Sequence, residues 1–174
     1  MGEVFGGHER ALGAIQTYQS TVNAASQQNG VDPRLTNAII YEEQSHLLPG
    51  EAAKDYLFPD SQLGGYDGGV GVMQVSGHIG KKYGDYTKTQ LARDPAININ
   101  VGTTYLGAIQ NSFSSVNQNS ANVQIGTQYN GSTAYGQRIA AQMGNPNYNT
   151  NILIAGLHSI VASLQKIVNS LTKR

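Results

Sequence analysis

A pair of adjacent glutamates, Glu42 and Glu43, is the feature of this sequence whose residue type and position point to chemistry. They lie near the end of residues 31–46, a segment with helical spacing and many apolar side chains. At about 100° per residue in a helix, Glu43 lies between the directions of two isoleucines, and Glu42 between those of a leucine and an alanine. Both carboxyl groups therefore fall at or near the buried side, where an ionised carboxylate is costly.

Burial of a carboxyl group has a chemical use as well as a cost. Burial raises the pKa of a carboxyl group, and a carboxyl group that keeps its proton near neutral pH can act as a general acid. Donation of that proton to a glycosidic oxygen is a reaction of this type. The structural alternative is a helix-end glutamate that reaches water or pairs with a cation. Periodicity does not choose between Glu42 and Glu43 as the acid.

Motifs for other chemistries are missing from the sequence. The four histidines are scattered without metal-ligand spacing, and cysteine is absent, which excludes thiolate catalysis, disulfides and Cys-type zinc sites. The glycine-rich residues 64–71 lack the Lys-Ser/Thr pair of a phosphate-binding loop and do not open a predicted helix. We therefore expect neither a metal nor a cofactor.

The composition favours a neutral, polar ligand. The chain has 174 residues with 11 basic and 11 acidic side chains, and this balance argues against nucleic acid as a partner. Only 13% of residues are charged while 39% are hydrophobic, so the chain can bury a core beneath a polar, mostly uncharged surface. Such a surface suits carbohydrate. No stretch approaches the roughly 20 apolar residues of a membrane span, and the opening residues do not read as a Sec-type signal.

Apolar spacing and caps predict six helices and one short β element. An Asp-Pro pair, in which the aspartate caps a helix and the proline occupies its first turn, occurs at Asp32-Pro33 and at Asp94-Pro95. Residues 47–69 are predicted to be irregular, and Val70 to Val75 to form a short strand or hairpin arm. The predicted helices cover about 8–28, 33–45, 95–113, a short stretch before Tyr129, 135–143 and 151–172.

The last predicted helix carries leucines and isoleucines at alternating four- and three-residue intervals, which is a heptad pattern. We expect this face to pack on the same domain, against the first helix. Self-association is the alternative.

Four segments, in order, resemble the motifs of goose-type lysozymes and lytic transglycosylases. The first is the helix in which Ala38-Ile-Ile is followed, after two residues, by Glu43. The others are Gly71-Val-Met-Gln-Val75, Asn98-Ile-Asn-Val-Gly-Thr-Thr-Tyr-Leu106, and Gln128-Tyr-Asn-Gly131 with Tyr135 downstream. Each motif is short, but four in the family's order are specific, and they cover about residues 30–143.

The resemblance implies a mainly α fold of the α+β lysozyme-like type. Residues 1–174 would form a single domain, a helical bundle around the helix of the catalytic glutamate with a small Gly-rich β-hairpin. The predicted helices 8–28 and 151–172 would be additions at the two ends.

The resemblance also implies cleavage of the β-1,4 bond between N-acetylmuramic acid and N-acetylglucosamine in peptidoglycan. Glu43 would be the general acid, and Asp67 the base that orients a water molecule. Gln74, Tyr129, Asn130 and Tyr135 would line the sugar cleft. We expect hydrolysis, as in a lysozyme. The alternatives are a lytic transglycosylase, in which the muramyl 6-hydroxyl attacks and leaves a 1,6-anhydro end, and a non-catalytic glycan-binding module.

The chain departs from the family pattern at three positions. Gln44 separates Glu43 from Ser45 where the family has Glu-Ser, as if one residue were inserted, and this keeps Glu42 open as the acid. Ser76 stands where goose-type lysozymes carry an aspartate, and Asp67 is near, but not in register with, their other aspartate.

The biological setting follows from charge and from the missing signal. We expect a bacteriolytic effector or endolysin-type enzyme that acts in the periplasm or cell envelope. It would be delivered by a specialised secretion system, encoded by a phage, or released from a signal peptide. A cognate inhibitor or immunity protein is a further expected partner, besides the glycan strands.

Overall fold

The structure is a computed structural model that describes residues 7–48, 50–59, 68–113 and 118–144, together with positions 161, 165, 168 and 169. The described residues form a mainly α fold with a small antiparallel sheet, as predicted. The elements in chain order are α1 (Gly7–Asn29), α2 (Pro33–His46), α3 (Glu51–Leu57), β1 (Gly69–Val70), β2 (Val75–Ser76), α4 (Gly77–Gly84), α5 (Lys88–Arg93), α6 (Pro95–Ser112), α7 (Gln118–Asn130) and α8 (Thr133–Gly144).

Helices α1 and α2 begin and end where the sequence predicts. Gly30 follows α1 with φ 65°, a left-handed conformation that glycine adopts without strain. Asp32 caps α2 by accepting a hydrogen bond from the backbone N–H of Arg34 at 2.9 Å, and Pro33 occupies the first turn. The apolar face of α2 is fully buried in the core, where α2 packs against α1 and α8. Its core residues are Leu35, Ala38, Ile39 and Ile40.

The prediction of six helices was wrong for the middle of the chain. Helix α3 lies within the segment predicted to be irregular, and α4 and α5 were not predicted. Each has only six to eight residues, too few for apolar periodicity to be diagnostic. Their caps were the available signal: Ser76 caps α4, and Thr87 with Gln90 forms a capping box on α5.

The β element is a hairpin whose two strands have two residues each. Gly69 pairs with Ser76 and Val70 with Val75, so the predicted strand at 70–75 is mostly a turn. Gly71 lies in this turn with φ 76°, and a Cβ there would lie 2.7 Å from the carbonyl oxygen of Leu91. Only glycine fits this position.

Asn98 of α6 holds the hairpin against the helices. Its side chain is fully buried, and its amide donates hydrogen bonds to the carbonyl oxygens of Val70, at 2.8 Å, and Leu91, at 3.0 Å. Its Oδ1 accepts the backbone N–H of Met73 at 2.8 Å. One asparagine therefore satisfies three buried backbone groups, because an amide side chain both donates and accepts.

The predicted helix 151–172 and its packing on the first helix lie outside the described residues, apart from four positions. Those four, Val161, Gln165, Val168 and Asn169, are helical and exposed.

We predict that Asn98→Ala lowers the free energy of unfolding by about 3 kcal/mol, because it leaves three buried backbone groups without their partner. The measurement is urea denaturation followed by circular dichroism. Asn111→Ala, at an exposed position of the same helix, is the matched control and should change stability by less than about 0.5 kcal/mol. Equal effects of the two substitutions would contradict the bracing role of Asn98.

Candidate active site

Glu43 and Tyr135 meet between α2 and α8. The Tyr135 hydroxyl donates a hydrogen bond of 2.8 Å to Glu43 Oε1. Tyr135 is 4% exposed, whereas Glu43 is half-buried. Burial, together with the negative charge of Glu43, holds the pKa of Tyr135 well above its usual value. The phenol therefore keeps its proton and remains a donor to the carboxyl group.

Glu42 is engaged within the fold instead. It is 3% exposed, and its Oε2 accepts a hydrogen bond of 2.6 Å from Arg138 Nε. Its Oε1 accepts a hydrogen bond from the side-chain amide of Gln142, and the ring of His46 lies 3.6 Å from Oε2. Both carboxylate oxygens thus have partners from α8. The geometry favours Glu43 over Glu42 as the group that is available for chemistry.

Gln44 is accommodated without any break in α2, which runs through it to His46. Its side chain is buried, and Nε2 donates to the carbonyl oxygen of Val72 at 2.8 Å and to that of Gly71 at 3.3 Å. The residue that looked like an insertion is therefore the one that ties the end of α2 to the hairpin turn.

Gln74 occupies the turn of the hairpin with φ 47°, a left-handed conformation that is uncommon outside glycine. Its amide donates to Asp55 Oδ2 and to the carbonyl oxygen of Gly71, both at 3.0 Å. Asp55 is 5% exposed; burial is the largest cause of its raised pKa, and the negative charge of Glu51 adds to it. The hydrogen bonds to Asp55 and Gly71 therefore fix the orientation of the Gln74 side chain.

A cavity of about 300 Å³ lies beside this turn. Its described lining includes three predicted site residues, Gln74, Tyr129 and Asn130. The rings of Tyr83, Tyr105 and Tyr129 form a row with 5.5 Å between successive centroids, and the Tyr129 hydroxyl donates to the carbonyl oxygen of Met73 at 2.8 Å. Aromatic faces beside amide groups are suited to sugar rings that carry hydroxyl and N-acetyl groups. The other lining residues are Val75, Ser76, His78, Ile79, Tyr105 and Gly131.

The structure thus groups the predicted site residues in two places. Tyr135 is hydrogen-bonded to Glu43, while Gln74, Tyr129 and Asn130 line the cavity. Asp67 lies outside the described residues. Ser76, which stands where goose-type lysozymes have an aspartate, accepts the backbone N–H of Ile79 at 3.3 Å as the cap of α4.

Sequence reasoning missed the partners of Glu42 and the support of Gln74. Arg138 and Gln142 are four residues apart, so they lie on one face of α8. This spacing is the feature of the sequence that could have identified them as a pair. Asp55 was not among the predicted site residues, because a carboxylate that accepts a hydrogen bond from a hairpin amide has no local sequence pattern.

Comparison with known proteins decides the family. Residues 20–152 match the family described as the transglycosylase SLT domain. The chain belongs to that family. The chain is 35% identical over 116 residues to the membrane-bound lytic murein transglycosylase C of Sodalis glossinidius (strain morsitans), an alignment that covers 66% of this chain and 31% of that protein. The chain thus spans about a third of the length of this relative. No solved structure matches it.

The part that matches the SLT domain includes every element that carries a described site residue, from α2 to α8. The first turns of α1 lie before the matched segment. Within the described part of the chain, no helix is long and apolar enough to cross a membrane. The same residues include no group of three or more side chains suited to hold a metal ion.

We predict that Tyr135→Phe raises the pKa of the Glu43 carboxyl group by about one unit, because a hydrogen bond to a charged group contributes about 1.5 kcal/mol to the ionised form. The measurement is an NMR titration of the glutamate side-chain carboxyl carbons. Tyr129→Phe is the matched control, since that hydroxyl donates to a backbone carbonyl. An unchanged titration of Glu43 in Tyr135→Phe would show that the hydrogen bond does not act on its protonation.

Proposed function

We propose that this chain is a lytic transglycosylase that cleaves the β-1,4 bond of peptidoglycan glycan strands with Glu43 as its acid. The observation that carries the proposal is the half-buried Glu43 carboxyl group, held by Tyr135 at the end of α2, in a chain of the transglycosylase SLT domain family. The relative's name, a lytic murein transglycosylase, supports the same activity.

The proposed reaction uses one carboxyl group twice. In the first step the protonated Glu43 donates its proton to the glycosidic oxygen, and the bond from that oxygen to C1 of the muramyl sugar breaks. In the second step the 6-hydroxyl of the same sugar attacks C1 and gives its proton to the Glu43 carboxylate. A C1–O6 bond forms, no water is consumed, and Glu43 recovers its proton.

The described carboxylates near the site favour this internal attack over hydrolysis. An inverting hydrolase needs a second carboxylate, about 6.5–9.5 Å from the acid, to activate water. Glu42 is bound by Arg138 and Gln142, and Asp55 is 5% exposed and accepts a hydrogen bond from Gln74, so both are already engaged within the fold. The comparisons likewise support the transglycosylase better than the lysozyme that we expected from the sequence.

The cavity beside the hairpin is the proposed binding site for the sugars next to the scissile bond. The Gln74 and Asn130 amides would bind N-acetyl and hydroxyl groups, while the Tyr105 and Tyr129 rings would stack on sugar faces. Tyr135 would act on Glu43 and not on the sugar.

The cell envelope is the proposed place of action, since peptidoglycan is there and the relative is named as a membrane-bound enzyme. The effector or endolysin role, the delivery route and the inhibitor protein stay predictions from the sequence.

We predict that Glu43→Gln lowers the release of muropeptides from purified peptidoglycan by at least about a hundredfold, because it removes the transferable proton and keeps the shape of the side chain. Its free energy of unfolding should change by less than about 1 kcal/mol. The release is followed by liquid chromatography and mass spectrometry.

Glu42→Gln is the matched control on the adjacent residue. It should keep activity within about tenfold but lower stability by about 1 kcal/mol, since Arg138, which is 46% exposed, loses a charged partner and regains only part of its hydration. The reverse pattern of activities would make Glu42 the acid.

We predict that the products carry 1,6-anhydro ends, lighter by the mass of one water than hydrolysed ends, and that digestion in H₂¹⁸O adds no heavy oxygen. Asp67→Asn should leave the yield within about twofold, because no water has to be activated. Products with reducing ends that carry ¹⁸O would instead establish hydrolysis. If the yield of those products also fell tenfold or more in Asp67→Asn, Asp67 would be the base.

A further inference from the structure

Arg10, in the first turns of α1, closes the C-terminal end of α2. Its Nε and Nη2 donate to the carbonyl oxygen of Gln44 at 2.9 and 2.7 Å, and Nη2 also donates to that of Leu47 at 2.6 Å. The last carbonyl groups of a helix have no partner within the helix, and that end carries a partial negative charge. A guanidinium group supplies both the missing donors and the complementary charge.

Two neighbours of Arg10 contact the same end of α2. The backbone at Gly7 comes so close to Ser45 that a Cβ at this glycine would overlap the Ser45 carbonyl oxygen. His8 Nδ1 and the Tyr41 hydroxyl form a hydrogen bond of 2.8 Å. The first turn of α1 thus contacts the last two turns of α2 through three contacts of different chemistry.

The last turn of α2 is the part of the helix on which the site depends. It carries Glu43, and it carries Gln44, whose side chain binds the hairpin carbonyl groups of Gly71 and Val72. Arg10 holds Gln44 by its backbone. The position of the acid therefore depends on a segment that Arg10 anchors, whereas the Gln74 turn is also held by Asn98 and Asp55.

We propose that Arg10 is a positioning residue for the glycan-cleaving reaction, an inference that rests on the proposed role of Glu43. It acts through α2, since its described contacts are with the carbonyl groups at the end of that helix. Residues 20–152 match the SLT domain family, so Arg10 lies before the matched segment, while the carbonyl groups that it binds lie within it.

The physical reason is that helix ends fray. Without Arg10, the two carbonyl groups must bind water, and the last turn opens more often. Displacing a catalytic group by about 1 Å can cost on the order of a hundredfold in rate. Substrate contacts made by the cavity residues would be affected much less, so the loss should appear in kcat and not in KM.

The experiment compares Arg10→Gln with Arg34→Gln in the full chain, with soluble uncrosslinked peptidoglycan strands as substrate. Arg34 belongs to the same helix but lies at its other end, where it pairs with the cap Asp32 in an exposed ion pair. Arg10→Gln should lower kcat by about ten- to a hundredfold with KM within about twofold. Amide hydrogen exchange over residues 43–47, measured by mass spectrometry, should become about tenfold faster. Arg34→Gln should change neither quantity.

Arg10→Lys keeps the charge but has no fork to reach two carbonyl groups, so it should restore only part of the rate. It also serves as the test variant if Arg10→Gln does not fold. The proposal would be overturned if Arg10→Gln had the same amide exchange and the same kcat as Arg34→Gln. It would also be overturned if the activity of Arg10→Gln fell only in proportion to the fraction of folded protein. If instead the unmodified chain releases no product, the proposed function fails, and the exchange measurement still decides whether Arg10 anchors the turn.

Discussion

Two adjacent carboxyl groups at the end of one helix are the constraint on which the rest of the site depends. Neighbouring negative charges repel, and the carboxylate that is buried, Glu42, needs a cation. The ion pair of Glu42 with Arg138 meets this need and also joins α8 to α2. Tyr135 is three residues before Arg138 on α8, and therefore on the same side of that helix. The pairing of Glu42 thus sets the register in which the Tyr135 hydroxyl reaches Glu43.

The hairpin side of the site is held by neutral amides. A ribbon of two two-residue strands has little stability of its own. Its position comes from Asn98 on one side, Gln44 on another, and the bond between Gln74 and Asp55 beneath the turn. Amides suit this task, because each both donates and accepts and carries no charge that must be neutralised in the interior. The low charge content of the chain and the wealth of amide residues reflect the same solution.

Local signals in the sequence predict the long elements but not the partners that select the acid. The Asp-Pro caps at Asp32 and Asp94 located α2 and α6, because a cap acts within one helical turn. Periodicity put Glu42 and Glu43 on the buried side of α2 but did not separate them, since their difference lies in residues 92 to 100 positions away on α8. The short helices were not predicted because six to eight residues are too few to show apolar periodicity; α4 and α5 have side-chain caps, whereas α3 has none.

The hydrogen bond from Tyr135 bears on both steps of the proposed reaction. A hydrogen bond donated to Oε1 favours the ionised form of the Glu43 carboxyl group. Before the reaction this bond therefore acts against burial, which favours the protonated form. As the proton moves to the glycosidic oxygen, negative charge develops on Glu43 and the bond strengthens, which stabilises the transition state more than the ground state. In the second step the same bond holds the carboxylate in place to accept the proton of the 6-hydroxyl. One buried phenol that keeps its own proton therefore serves a residue that must be an acid and then a base.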